Sequence, residues 1–513
     1  MTHFSKNTSL KSSCLLFLYC LLAAAGCLLL CSKSSPLYPI NDWSDANIYF
    51  SMGKGMLSGR VLYRDIYDHK GPLLYALHAL CCFISPRSFF GVWLMEVIAG
   101  AFFLMGTWKI FRLYDAKPWM LSALPLLGML VFSSFSFQYG DSAEEFCIPL
   151  LTWALYDWLL YLKTDYPKGM RPRVLLRQGV LCGCILWTKF TLLGLHGMWF
   201  LLVCGAPALR RQWKDVWRTA LWFAAGVLLA TLPWVFYFGF HGALLDWFKT
   251  YLYDNLFLYS GGEATGALGQ LRAILRSAWD WFRQNLTYSL PVLLGLIWMT
   301  FSKSGTEKKR WAYWPLPLLA GLGVFIGGKS YVYYGLPLAA FGGMGLLPLC
   351  LWLDTRLSPA IRQKNVALCA VACALSFTGC YFLSPNVSSS FLQPRESTMQ
   401  YQLAAAIPEG ENATLLNYGF MDAGFYTAAG ITPTVKYFHQ TNVPLQEMLD
   451  EQERYLQEEL VDYVVTRGKV PEGFEERYVL IAEAETPGFW YPKAYLFRRR
   501  ALPHTFPEDQ PQR

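Results

Sequence analysis

Between Asp42 and Tyr75 the chain sets acids and bases side by side: Asp45, then, eighteen residues on, Tyr63-Arg64-Asp65-Ile66-Tyr67-Asp68-His69-Lys70-Gly71-Pro72. A carboxylate beside a cation cluster suits one reaction in particular, between a hydroxyl and a lipid phosphate ester. The base takes the hydroxyl proton and the cations neutralise the leaving phosphate. Asp45 has the chemistry of the base, and Arg64 and Lys70 that of phosphate ligands, with His69 beside them. Any one of these charges alone would ordinarily do no more than solvate a loop. Their density argues for a site at a membrane face, because only 16% of residues are charged and the stretch follows directly on a hydrophobic run from Ser13 to Cys31.

The elements that must position these groups are membrane spans. At 54% apolar and 17% aromatic, the composition excludes an ordinary soluble enzyme. A span takes about 20 apolar residues. Eleven windows qualify: 13–31, 89–107, 118–136, 146–162, 175–188, 190–205, 219–240, 287–302, 312–328, 333–353 and 366–384. With the N-terminus inside, the inner segments collect 21 Lys and Arg, against 12 in the longer outer segments before residue 385. An excess of basic residues on short loops marks the cytoplasmic side. The sequence therefore predicts an N-in, C-out protein of the bacterial cytoplasmic membrane, with its first loop outside. Glu96, seven residues into the second window, is predicted to pair with Lys189, because an ionisable group inside a span faces protein or water.

Charge divides along the chain. Residues 1–384 carry net +15 and residues 385–513 net −7. Topology and anionic lipid headgroups explain the basic part, and no nucleic-acid motif is present. All 14 cysteines precede residue 381, without zinc or disulfide spacing, and His78, His196 and His241 are scattered. Ala24-Ala25-Gly26-Cys27 is followed by more apolar sequence to Cys31, as in an uncleaved anchor.

Within the first loop, Ser44 is placed to cap a short interfacial helix with Ile48, Met52 and Met56 on one face, and Gly71-Pro72 marks a turn into a second helix. Further outer segments carry Asp141, Glu144 and Glu145, then Asp254, Asn255 and Tyr259, then Lys329 with Tyr331, Tyr333 and Tyr334. After about residue 395, helix signals at 400–407 and 443–460 alternate with strand signals at 414–416, 463–465, 478–481 and 494–497, the pattern of a small α/β unit. The predicted organisation is a membrane domain 1–390 whose outer loop 32–88 carries the site, an extracytoplasmic α/β domain 391–503, and a disordered tail 504–513.

Asp45, the Gly53–Gly59 stretch, Leu62-Tyr63-Arg64-Asp65 and Asp68-His69-Lys70-Gly71-Pro72-Leu73-Leu74-Tyr75 together resemble the first extracytoplasmic loop of bacterial GT-C glycosyltransferases, the group that includes protein O-mannosyltransferases and the lipid A aminoarabinose transferase. The resemblance implies a GT-C fold with about 11 transmembrane helices and an inverting transfer of a hexose or pentose from a polyprenyl-phosphate donor to a glycan, lipid or protein hydroxyl. It makes Asp45 the catalytic carboxylate, Lys70 a ligand of the carrier phosphate and Asp141 a second acid, with Glu144 nearby. It also places Lys329 and Tyr333 at the lipid-phosphate cavity. The chain departs from the aminoarabinose-transferase pattern in having His69 where that group has an acid, Gly71 between lysine and proline, and Asp45-Ala46 in place of Asp-Glu. No cofactor is implied beyond a divalent cation, whose ligands and requirement stay open. The alternative from another class is a transporter of a polar or lipid-linked substrate. Transporters place ionisable groups on broken helices at the midplane and often repeat internally, whereas the acids here gather at outer span ends.

Overall fold

The computed structural model describes residues 6–166, 169–259, 266–302, 313–327, 329–388, 390–408, 413–486 and 492–500. The expected tail 504–513 lies outside the described residues. Nine helices lead the chain: α1 Lys6–Cys31, α2 Ser44–Leu57, α3 Pro72–Ile84, α4 Phe90–Arg112, α5 Ala123–Phe132, α6 Ala143–Thr164, α7 Pro172–Lys189, α8 Gly194–Leu209 and α9 Trp213–Phe240. Among the described residues, five runs are long and apolar enough to cross a membrane: Ser12–Cys31, Phe90–Arg112, Pro172–Leu209, Trp213–Phe240 and Asn365–Leu383. A sixth exists if the bent pair Val332–Phe341 and Gly343–Arg356 is one span. The other windows fall on shorter apolar helices, or on α6, which carries Glu144, Glu145, Asp157 and Lys163. The two windows at 175–188 and 190–205 are one 38-residue run, interrupted only by the tight turn Phe190–Leu193.

Ser44 is the first helical residue of α2 and Trp43 its N-cap, without a side-chain cap. The apolar face is as read: Ile48 and Met52 are buried and Met56 packs against the same cluster. The proline of Gly71-Pro72 opens α3, where its fixed φ suits the first turn and its missing N–H costs nothing.

Four short strands follow late in the chain, β1 Leu415–Asn417, β2 Tyr463–Thr466, β3 Tyr478–Glu485 and β4 Lys493–Arg499, in the order β1-β2-β4-β3. β1 and β2 run parallel, with Leu416 opposite Val464, and the remaining pairs are antiparallel. Alternation gives the sheet two apolar faces. Leu416, Val464 and Phe497 pack on Met448, Tyr455 and Leu456 of the helix Gln446–Gln457. Leu415, Tyr463, Val465 and Leu496 join the cluster that holds Ile48, Tyr49 and Met52 of α2.

Polar bonds reinforce that apolar seam. Ser51 Oγ donates to Asp422 Oδ2 at 2.7 Å, and Tyr67 N donates to Lys436 O at 2.9 Å. Lys54 Nζ donates to Tyr426 O at 3.2 Å and Ile431 O at 2.8 Å, the second at a residue just past the helix Phe425–Ala429. Burial brings the Lys54 ammonium down to about 8. The segment between α1 and α3 is thus bonded to the sheet unit as well as packed on the helices.

Candidate active site

Asp45 stands in the first turn of α2, where the helix dipole favours a carboxylate. Its Oδ2 accepts from Tyr49 OH at 3.1 Å, one turn along the same helix, and from Tyr333 OH at 3.4 Å, which reaches across from the segment Val332–Phe341. The Tyr333 ring is held edge-on against Trp43, 5.1 Å between centroids.

Lys70 is presented by a turn whose backbone is bonded on every side. Tyr63 OH donates to Lys70 O at 2.7 Å, Lys70 N donates to Tyr75 OH at 2.9 Å, and Tyr75 OH donates to Asp68 Oδ2 at 2.5 Å. Asn255 Nδ2 donates to His69 O at 2.6 Å. Gly71 follows because nothing larger fits: a Cβ there would stand 2.0 Å from Trp187 O, at the end of α7. Gly71→Ala therefore has to push Lys70 away from α7. A loss of about 2–3 kcal/mol of stability is expected, from overpacking against rigid backbone, and thermal unfolding in detergent checks it; an unchanged melting temperature would contradict this packing.

The charges of this turn set one another. Burial raises the Asp68 carboxyl, but His69, Lys70 and His439 outweigh it and hold Asp68 well below the usual carboxylate range. Burial lowers the Lys70 ammonium, and the carboxylates Asp45 and Asp68 more than restore it, to about 12. The effect of Asp45 is the larger of the two, so Asp45 and Lys70 lie within electrostatic reach of each other. Burial, then Lys70, depresses the His69 imidazole. Its Nε2 lies 3.1 Å from Lys70 Nζ and its Nδ1 3.2 Å from Asp68 Oδ1.

Beside this turn opens a cavity of about 190 Å³, bordered by His69, Lys70, Glu144, Lys189, Tyr259 and Lys329, with Leu192, Leu256 and Val324 among its apolar walls. Lys189 Nζ bonds to Glu144 Oε1 and lies 4.2 Å from the centroid of the Tyr334 ring. Lys329 Nζ sits 3.6 Å from the Tyr259 centroid and donates to Tyr259 O at 3.0 Å. Three ammonium groups thus face one largely apolar cavity. Asp45 and Tyr333 stand beside it without lining it. Arg64 is elsewhere: its half-exposed guanidinium pairs with Asp65 at 2.8 Å and donates to His241 O at 2.6 Å.

Asp141 is fully enclosed. Its Oδ1 meets His78 Nε2 at 2.8 Å, and its N–H donates to Glu96 Oε1 at 2.8 Å and Glu145 Oε2 at 3.0 Å. The residue is left-handed (φ 61°), which costs a side chain with a Cβ, and follows Gly140 (φ 83°), which adopts such a φ freely. Burial raises the Asp141 carboxyl, against the His78 contact. The expected Glu96–Lys189 link is not formed. Glu96 accepts from Ser32 Oγ at 2.7 and 2.9 Å, because it lies under the turn at residue 140, whereas the end of α7 faces the first turn of α6 and gives Lys189 to Glu144.

The structure as a whole aligns with ArnT from Cupriavidus metallidurans bound to undecaprenyl phosphate, over 93% of this chain and 97% of that one, at TM-score 0.59 and 12% identity. ArnT in the apo state aligns over 95% and 98%, at TM-score 0.57 and 12% identity. The chain shares the fold of ArnT. The oligosaccharyltransferase AglB from Archaeoglobus fulgidus matches over 97% of this chain and 75% of that one at TM-score 0.40 and 12% identity, too distant for comparison of parts. No protein-family model and no curated protein matches the sequence.

Sequence reasoning did not single out Lys189 as a residue that borders the cavity, nor Tyr49 and His78 as the partners of Asp45 and Asp141. Lys189 did carry a signal: it is the only ionisable residue between the apolar windows 175–188 and 190–205. The turn Phe190–Leu193 that follows it borders the cavity. Among the described residues no three His, Cys, Asp or Glu side chains are arranged to hold a metal ion.

Proposed function

We propose that this protein transfers a sugar from a polyprenyl-phosphate donor to an acceptor hydroxyl at the outer face of the cytoplasmic membrane, with inversion. The observation that carries the reading is the convergence of Lys70, Lys189 and Lys329 on a cavity with apolar walls, next to a carboxylate in electrostatic contact with Lys70. Such a cavity suits a phosphate joined to a hydrocarbon chain. The likeness to the fold of ArnT, solved with undecaprenyl phosphate bound, supports the same reading.

In this mechanism Asp45 accepts the proton of the acceptor hydroxyl as its oxygen attacks the anomeric carbon. The bond from that carbon to the carrier phosphate breaks, and its electron pair leaves on the phosphate oxygen, where the lysines neutralise the added charge. Phosphate leaves readily, so no general acid is required. Tyr49 and Tyr333 aim the carboxylate, and His69 and Glu144 orient Lys70 and Lys189. Asp141, bonded to His78 and through its N–H to Glu145, fixes the start of α6, which bears Glu144. The basic inner loops support an N-in orientation, with residues 391–503 outside.

The test is release of free polyprenyl phosphate from a labelled polyprenyl-phosphate sugar in reconstituted vesicles. Acceptor-dependent release is expected. Movement of intact labelled lipid across the bilayer without cleavage would replace the transferase with a transporter.

A further inference from the structure

The helix Gly266–Gln284 has three distinct faces. Gln270, Ser277 and Trp281 turn toward the protein. Gln270 Nε2 bonds to Ile326 O, Ser277 Oγ lies 2.9 Å from Ser330 Oγ, and Trp281 Nε1 donates to Tyr288 OH at 2.6 Å. The Trp281 ring also closes on Gly335, where a Cβ would stand 1.9 Å from its Cδ1. Ile326 borders the lysine-lined cavity and Ser330 follows Lys329, so this face of the helix braces the segment that carries Lys329.

The second face is apolar and exposed. Leu268, Leu271, Leu275 and Trp279 recur at i, i+3, i+7 and i+11, the spacing of one side of a helix, and each is more than half exposed. The third face is basic. Arg272, Arg276 and Arg283, all exposed, form a stripe beside the leucines, Arg272 directly following Leu271 and Arg276 directly following Leu275. Asp280 is the one acid of the helix. It pairs with Arg283 at 2.8 Å and lies 3.9 Å from Arg276, so the stripe keeps an excess of positive charge.

An apolar face flanked by arginines calls for a partner that is apolar inside and anionic at its rim. The exposed face continues onto the next helix, the apolar Leu286–Phe301, which turns Leu286, Leu290, Leu294 and Ile297 outward. That continuity makes the partner the bilayer itself, and the arginine stripe sets its headgroup phosphates opposite the positive charge. We infer that the helix Gly266–Gln284 lies in the bilayer surface and docks anionic phospholipid headgroups through Arg272, Arg276 and Arg283. Leu268, Leu271 and Leu275 enter the acyl boundary, Trp279 sits at the interface, and the guanidinium groups reach up to the phosphates. The docked helix holds the Lys329 segment against the bilayer surface, which gives lipid composition a route to the cavity. The docking stands whether or not the cavity takes a sugar donor.

The experiment is hydrogen exchange, read by mass spectrometry, on the full chain in nanodiscs of phosphatidylcholine alone or of phosphatidylcholine with phosphatidylglycerol. Amides of residues 266–284 are expected to exchange at least about fivefold more slowly in the anionic discs, because each basic residue near a charged surface strengthens docking and docking suppresses local opening. Arg272→Gln, Arg276→Gln and Arg283→Gln together are expected to abolish that difference, while β2 and β4 exchange as before. Leu271→Asp with Leu275→Asp is expected to speed exchange of the helix in both kinds of disc, again with β2 and β4 unchanged. Equal exchange of the wild-type helix in the two discs, or a difference that survives the arginine substitutions, overturns the inference, as does a helix indifferent to the two aspartates. Protection that follows the number of chains per disc instead of lipid charge also overturns it and makes the face an interface between copies.

Discussion

Asp45→Asn is expected to lower sugar transfer at least about 100-fold while leaving donor affinity within about threefold. A positioned general base contributes about 10²–10⁴ in rate, and the amide cannot take the hydroxyl proton. Asparagine has the same shape and keeps an oxygen that accepts from Tyr49 and Tyr333, so α2 and the loop it starts keep their place. In the proposed reaction the carrier phosphate meets Lys70, Lys189 and Lys329 in a cavity that Asp45 does not line, so binding and chemistry are expected to separate. The readout is kcat and the donor KM, with release of polyprenyl phosphate as the signal. Turnover at the wild-type rate removes Asp45 from the mechanism. A loss carried wholly by KM would instead assign it to donor binding.

What the sequence revealed of this arrangement follows from how local each signal was. Ile48, Met52 and Met56 repeat at helical spacing, so α2 and its buried face could be read directly, and the strand signals at 414–416, 463–465, 478–481 and 494–497 coincide with β1 to β4. Asp45 and Lys70 stood out as charges beside a span. The misreadings concern partners distant in sequence. Glu96 and Lys189 are both ionisable groups in apolar surroundings, and pairing them was economical on paper; only the packing of α6 beside α7 places Glu144 next to Lys189 instead. Tyr49 belongs to the face of α2 that reads as core, and nothing local distinguishes its hydroxyl from that of any other buried tyrosine. Arg64 shows the converse: composition favoured it as a phosphate ligand, but Asp65 next to it and the carbonyl of His241 hold it at the surface. The span count suffered from the same limit, since hydropathy cannot tell whether the break at Phe190–Leu193 ends one span or lines a cavity within it.

Lys189→Ala tests a residue that the fold brings to the cavity, and its effect has two separable parts. Glu144 is 1% exposed, and removing its partner leaves a buried carboxylate without compensation, a cost of about 3–5 kcal/mol. The variant also loses one of the three cations around the cavity, and a charged hydrogen bond contributes about 1.5–3 kcal/mol, so affinity for a carrier-lipid analogue is expected to fall about 10- to 100-fold. Adding Glu144→Gln separates the two parts. The neutral amide needs no counter-charge, so the double variant is expected to regain most of the lost melting temperature while carrier affinity stays low. Glu144→Gln alone leaves Lys189 over the Tyr334 face, where a cation is still favoured. Its ammonium is then released from the carboxylate, and carrier affinity is expected to hold or rise. Differential scanning fluorimetry and equilibrium binding on the three proteins give the comparison. Recovery of carrier affinity together with stability in the double variant would make Lys189 a counter-ion of Glu144 and nothing more. A persistent binding defect in a restabilised protein places its ammonium on the phosphate.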